Sequence, residues 1–147
     1  MKPGAFRIVD ADYERDVAML RAIREPVFVQ EQNVPLDMEW DELDPLSRHV
    51  LALDADGQPI GTGRLTPEQR IGRMAVLPDW RGRGIGEAML RRLVDSAREL
   101  GYADIELHAQ VSAIGFYERN GFAAYGEEFE EAGIQHRHMR RALQAGS

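Results

Sequence analysis

The feature that most constrains the fold is a strand, a helix and a second strand that follow one another between residues 71 and 107. Ile71–Leu77 and Asp104–Leu107 are strand-like. Between them an apolar stripe at helical spacing predicts an amphipathic helix, and Gly101 follows at the position where a helix commonly ends. Two strands joined by such a helix lie parallel in one sheet. The stripe consists of Met89, Leu90, Leu93, Val94, Ala97 and Leu100.

Further strands are predicted on both sides of this unit. His49–Leu53 and Ile60–Leu65 flank an Asp-Gly step, which is a strong signal for a β-hairpin. Hairpins at the front and one crossover behind predict a mixed α/β (α+β) sheet in a single domain of residues 1–147. The other predicted elements are strands at Phe6–Val9, Phe122–Tyr125 and about Gln135–Leu143, a first helix that Asp12 caps and Pro26 breaks near Glu25, and a short helix that Ser112 caps and Gly121 ends.

The turn that opens the central helix reads Arg81-Gly82-Arg83-Gly84-Ile85-Gly86. The N-terminus of a helix has unsatisfied N–H groups and a partial positive charge, and glycines let a ligand approach the backbone closely. Arginines add positive charge and a bidentate geometry that suits phosphate. Together these features indicate a site for a pyrophosphate. The alternative is an ordinary tight turn with solvated arginines.

Two common phosphate-binding motifs do not fit this turn. A P-loop ends in Gly-Lys-Ser/Thr, whereas Gly86 is followed by Glu87. A dinucleotide fingerprint that starts at Gly82 would need glycine in place of Glu87, and one that starts at Gly84 would need glycine in place of Met89. Nucleotide or dinucleotide binding through this turn is therefore disfavoured.

Two motifs together resemble the GNAT superfamily of N-acetyltransferases. Met74–Val76 followed by Arg81-x-x-Gly84-x-Gly86 resembles its motif A, Q/R-x-x-G-x-G/A, and the run from Phe116 to Phe122 is similar to its F-Y-x-x-x-G-F signature. The resemblance implies a mostly antiparallel, twisted sheet with helices on both faces and a V-shaped splay between the fourth and fifth strands. Similarity to the ElaA/YjcF-like branch is carried by Val27–Gln32, Arg48-His49 and Leu107–Gln110.

The resemblance also implies acetyl-CoA as the co-substrate. Its pyrophosphate would bind the backbone N–H groups of Arg81–Gly86, with the Arg81 and Arg83 side chains near the outer phosphates. Its pantetheine would pair with the backbone of Met74–Val76, and a backbone N–H near Val76 would stabilise the oxyanion. The predicted cofactor-binding residues are Met74, Ala75, Val76, Arg81, Gly82, Arg83, Gly84, Ile85, Gly86 and Tyr117.

The implied reaction moves the acetyl group directly to a primary amine of a small molecule or peptide in a ternary complex. By its place in the F-Y-x-x-x-G-F signature, Tyr117 matches the superfamily's general acid. A phenol with a pKa of about 10 is protonated at neutral pH and so can donate a proton to the departing thiolate. The amine must lose a proton, and the candidate bases are Glu31 and His49, with His108 as a third. A regulatory module that binds CoA without catalysis is the alternative function.

Composition narrows the range of partners. The net charge of −7, from 18 basic and 25 acidic residues, disfavours general nucleic-acid binding. The sequence has no cysteine, and His136 and His138 alternate on a late strand without a further ligand, so no metal site is expected. The lack of a long apolar stretch predicts a cytoplasmic protein without a membrane partner. A homodimer is possible, and the sequence does not decide the oligomeric state. The acidic residues 37–44 are predicted to form a solvated loop, and the alternative is that they attract a cationic amine to the acceptor site.

Overall fold

The computed structural model describes residues 5–34 and 40–143. Its strands are β1 (Phe6–Ala11), β2 (Arg48–Asp54), β3 (Pro59–Leu65), β4 (Arg70–Val76), β5 (Asp104–Gln110), β6 (Ala123–Glu131) and β7 (Ile134–Ala142). Its helices are α1 (Tyr13–Arg24), a π-helical segment (Glu25–Glu31), α2 (Ile85–Glu99) and α3 (Ile114–Arg119). Within these ranges, no helix is both long and apolar enough to span a bilayer.

The seven strands form one sheet in the order β1-β2-β3-β4-β5-β7-β6. All neighbours are antiparallel except β4 and β5, which are parallel as the strand–helix–strand pattern predicted. Val50 and Ala52 of β2 pack in the cluster that contains α2, whereas Leu51 and Leu53 pack in the cluster that contains α1. Because successive strand residues point to opposite faces, helices cover both faces of the sheet. The predicted mixed, mostly antiparallel architecture is confirmed.

The predicted splay between β4 and β5 is also confirmed. The two strands pair at Arg70–Glu106 and Ile71–Leu107, and then separate. Since β4 continues to Val76, its edge toward β5 has no strand partner among the described residues from Gly72 onward. The two diverging strands therefore leave a V-shaped gap in the middle of the sheet.

A β-bulge lies in β4 at the start of this gap. Thr62 and Arg64 of β3 are two residues apart, but their partners Ala75 and Gly72 on β4 are three apart. The extra residue is accommodated at Arg73, which has a φ of +52°. Residues other than glycine rarely adopt this left-handed conformation, and a bulge redirects the local backbone. The bulge thus alters the edge of β4 that faces the gap.

The observed ends of helices and strands can be compared with the capping and helix-breaking residues predicted from the sequence. Asp12 caps α1, because its carboxylate accepts a hydrogen bond from the Arg15 N–H. The break expected near Glu25 is present, as a change from α-helix to the π-helical segment at that residue. The predicted cap at Ser112 is wrong, since α3 begins after Ala113 without a side-chain cap. Finally, β6 runs beyond its predicted end near Tyr125 to Glu131.

Candidate active site

The turn Arg81–Gly86, which we call the phosphate cradle, connects β4 to α2. Gly82 and Gly84 have φ angles of +77° and +82°, a region that strains residues with a side chain. A Cβ atom on either glycine would meet no other atom within 4 Å, so the space over this backbone is open. Gly84 is also the N-cap of α2 and has no side chain to bind the first N–H groups of the helix. These amides are therefore available to an anion.

The two arginine side chains of the cradle have partners within the protein. The Arg81 Nε donates to the Val76 carbonyl over 2.9 Å, and its terminal nitrogens donate to the Glu31 carboxylate over 2.7 and 2.8 Å. The Arg83 guanidinium lies over the Trp80 ring at 4.9 Å. The open feature of the cradle is consequently its backbone, rather than its side chains.

A cavity of about 490 Å³, which we call the central cleft, occupies the V-shaped gap. The bulged edge of β4 contributes Gly72–Met74 to its wall, and β5 contributes His108 and Gln110. From α3 comes Tyr117, and the β6–β7 hairpin adds Glu131. The cleft therefore brings an imidazole and a phenol, those of His108 and Tyr117, to the gap between the parallel strands.

Glu31 and His49, the two principal candidates for the base, do not line this cleft. The Glu31 carboxylate binds Arg81 at the cradle, and the hydrogen bond from Arg81 lowers its pKa. His49 is buried beside Tyr13, and its Nε2 donates to the Asp44 carbonyl over 2.8 Å. Burial lowers the pKa of His49. The structure brings only the third candidate, His108, to the central cleft.

Tyr117 presents its hydroxyl to the cleft without an internal partner. Its ring packs edge-on against Phe116 and Phe122, with centroids 5.1 and 6.0 Å away. Across the described ranges the hydroxyl makes no hydrogen bond to the protein. Burial raises the pKa of Tyr117 to about 12. The phenol therefore stays protonated at neutral pH and is able to donate to a group in the cleft.

Glu131 forms a hydrogen-bonded pair with His108 that the sequence analysis did not anticipate. The His108 Nδ1 lies 3.0 Å from one carboxylate oxygen, and the His136 Nε2 lies 3.8 Å from the other. The hydrogen bond from His108 lowers the pKa of Glu131. Glu131 was missed because β6 was predicted to end near Tyr125. The two turn residues Ala132 and Gly133 have φ angles of +52° and +80°, but Ala-Gly is not a dipeptide typical of such turns, so the sequence carried no strong signal for this hairpin.

A network of buried ion pairs lies along one wall of the central cleft. Asp44 is fully buried between Arg24 and Arg64, with one oxygen 2.8 Å from a nitrogen of each. Arg64 also binds both oxygens of Asp41, and this pairing lowers the pKa of Asp41 to about 2. Asp44 is thus a structural anion rather than part of a solvated loop. Residues 37–39 of the acidic run lie outside the described ranges, and within those ranges no group of three acidic or histidine side chains is placed to hold a metal ion.

Comparison with known proteins gives consistent matches. The model of the GNAT acetyltransferase domain matches residues 25–143. The chain is 37% identical over 123 residues to the uncharacterised N-acetyltransferase YjcF of Bacillus subtilis (strain 168), covering 81% of this chain and 87% of that protein. An acyl-CoA N-acyltransferase from Pseudomonas aeruginosa superposes with a TM-score of 0.83 at 30% identity, covering 94% of this chain and 100% of the other. For Escherichia coli ElaA the TM-score is 0.82 at 25% identity, covering 93% and 99%.

Proposed function

Because the chain belongs to the GNAT family of acetyltransferases, in its ElaA/YjcF-like branch, we propose that it acetylates a primary amine of a small molecule or peptide with acetyl-CoA. One observation carries the proposal. The unpaired edge of β4 lines the central cleft through Met74, together with Tyr117, and β4 then leads along the chain to the phosphate cradle, whose open amides begin α2. A diphosphate at one end and a reacting thioester at the other require this sequence of features.

The residues of the cradle and of β4 fit acetyl-CoA. The amides at the N-terminus of α2 suit the pyrophosphate, and Gly82 and Gly84 leave room for it against the backbone. The edge of β4 over Met74–Val76 lacks a β5 partner, so its backbone can pair with the amide groups of pantetheine as an added strand would, except at the Val76 carbonyl, which Arg81 already binds. The β4–β5 splay then becomes the place where the acetyl group meets the amine.

Different groups around the cleft serve the separate steps of acetyl transfer. Bound acetyl-CoA supplies an electrophilic carbonyl and a thiolate leaving group. Tyr117 donates its phenolic proton to the departing sulfur, and the backbone N–H groups of bulged β4 stabilise the oxyanion near Val76. Because the sequence has no cysteine to carry the acetyl group, direct transfer in a ternary complex is favoured.

Binding of acetyl-CoA is the first test. We expect a saturating concentration, about 100 times the Kd, to stabilise the fold by about 2.7 kcal/mol and to raise the Tm by several degrees. NAD and ATP at the same concentration should leave the Tm unchanged, because the turn lacks the motifs for either. Equal stabilisation by all three compounds would contradict the assignment. Thermal denaturation followed by scanning fluorimetry measures the shifts.

Replacement of Gly84 by alanine tests the cradle itself. We expect the affinity for acetyl-CoA to fall about tenfold or more, since the new Cβ occupies the open space and distorts amides that make charge-assisted hydrogen bonds. Calorimetric titration measures the Kd. Gly101→Ala is a matched control, because Gly101 has a φ of +79° at the other end of α2 and open space at its Cβ. If both variants bind equally well, the cradle is not the phosphate site.

Release of CoA on addition of an amine tests the reaction. Benzylamine, cadaverine and glycylglycine present an aromatic, a cationic and a peptide-like primary amine. Acetylation of at least one of them, detected as free CoA thiol, is expected of an enzyme. Binding of acetyl-CoA without acetylation of any amine would favour the regulatory module instead.

A further inference from the structure

We infer that His108, oriented by Glu131, is the general base that takes the proton from the acceptor amine. The inference rests on the proposed function and adds to it the residue that activates the nucleophile. The geometry of the pair, its place at the splay and the different orientation of His136 each support it.

The Glu131 carboxylate fixes the tautomer of His108. An ionised carboxylate has no proton to donate, so the Nδ1 that lies 3.0 Å away must carry the hydrogen of this bond. The lowered pKa of Glu131, caused first by the hydrogen bond from His108, keeps that carboxylate ionised at neutral pH. In the neutral imidazole, Nε2 therefore holds the free lone pair. Within residues 5–34 and 40–143, Nε2 has no hydrogen-bond partner.

His108 lies where the two parallel strands separate. Leu107 makes the last β5 pairing with β4, and His108 is the next residue along β5. Leu107 and Ala109 pack in the α2 core, so His108 is on the opposite face of the sheet. Its side chain is 17% exposed and lines the central cleft together with Tyr117. A base at this position is beside the site proposed for the thioester.

His136, the other histidine of the cleft, is oriented differently. Its Nδ1 donates to the Ile134 carbonyl over 2.7 Å, so the neutral ring has its lone pair on Nε2. That Nε2 lies 3.8 Å from a Glu131 oxygen. The basic nitrogen of His136 is thus directed at a carboxylate, whereas that of His108 has no such neighbour.

The ring of His108 is held in place by its aromatic neighbours. Phe129 contacts it edge-on with centroids 5.1 Å apart, and His138 does so at 4.8 Å. Two contacts and one hydrogen bond thus fix the ring in its orientation. The titratable and charged groups that face it or share its cleft are Glu131 on β6, His136 and His138 on β7, Arg70 and Arg73 on β4, Asp41 and Arg64, and Tyr117 on α3.

The proton transfers balance with both side chains in these roles. His108 Nε2 accepts one proton from the ammonium group, and the neutral amine forms the N–C bond to the acetyl carbonyl carbon. As the C–S bond breaks, the sulfur takes the electron pair and the phenolic proton of Tyr117. The second amine proton restores the phenol through solvent, and His108 releases its proton to water. The products are the acetamide, CoA thiol and one proton.

Kinetics of His108→Ala and Glu131→Gln test the inference with whichever of benzylamine, cadaverine and glycylglycine the enzyme acetylates. We expect His108→Ala to lower kcat/KM at pH 7 by a factor of about 10² or more, with an unchanged Kd for acetyl-CoA. The loss should shrink as pH rises, because the amine then loses its proton without help. Glu131→Gln should lower kcat/KM at pH 7 in the same direction and leave the Kd for acetyl-CoA unchanged, since an amide no longer fixes which nitrogen of His108 carries the proton. Glu130→Gln, an exposed change on the same strand, is the matched control.

A wild-type rate and pH profile for His108→Ala would overturn the inference. Nitrogen-15 NMR of the histidine rings provides a readout that needs no acceptor. At pH 8 we expect His108 to carry its proton on Nδ1, and to lose this preference in Glu131→Gln. A proton on Nε2 in the wild type would also overturn the inference. Failure of every amine to react, with the expected tautomer present, would contradict the proposed function and not the orientation of the pair.

Discussion

Replacing Tyr117 with phenylalanine is expected to lower kcat by a factor of about 10² to 10⁴, the usual contribution of a positioned general acid. The substitution removes only the hydroxyl, which makes no hydrogen bond elsewhere in the described ranges, so the packing of the ring on Phe116 and Phe122 should persist. The Kd for acetyl-CoA should therefore change by less than about threefold. Steady-state kinetics together with calorimetric titration separate the two effects.

The matched control is Tyr102→Phe, since Tyr102 follows α2 and packs on the core away from the cleft. Its kcat should equal that of the wild type. The pH dependence adds a second check, because burial raises the pKa of Tyr117 to about 12. Loss of the phenolic proton should then reduce activity only near pH 12, and a fall in kcat near pH 10 would contradict the assignment. Full activity of Tyr117→Phe would exclude the role altogether.

Features that depend on local sequence were predictable. The helical stripe of α2 required an apolar sheet beside it, and its members Met89, Leu90 and Leu93 are fully buried. The glycines of the cradle adopt the positive φ angles for which glycine is suited. The first property follows from the spacing of apolar residues and the second from the backbone sterics of glycine, and a single sequence is enough to predict either.

Features that depend on contacts between distant segments were not predictable. Arg73 adopts a positive φ because the pairing of β3 with β4 requires an extra residue there, and no property of arginine indicates this. Glu131 and His108 are 23 positions apart in the chain. They meet only because β5, β7 and β6 lie side by side in the sheet. Glu31 was a reasonable candidate base by type, but Arg81 binds it at the cradle. Residue type identified the candidates, whereas their selection required the three-dimensional arrangement.

The acidic run before β2 shows the same limit in its charge pattern. In sequence it is a cluster of carboxylates, yet Asp41 and Asp44 each bind arginines from other segments. Arg24 comes from the end of α1 and Arg64 from β3, so these ion pairs tie the segment to both the helix and the sheet. Asp41 lines the central cleft. The buried network therefore fixes one wall of the site.

Replacing Asp44 with alanine is expected to destabilise the fold by about 3–5 kcal/mol, because it leaves two buried guanidinium groups without the carboxylate between them. Urea denaturation measures the free energy of unfolding. Asp10→Ala is the matched control, since Asp10 also binds an arginine, Arg92, over 2.8 Å, but its side chain is 61% exposed. That exposed pair should contribute less than about 1 kcal/mol. Equal, small losses in the two variants would show that the buried network does not stabilise the cleft wall, whereas a selective loss at Asp44 would show that burial determines the strength of these ion pairs.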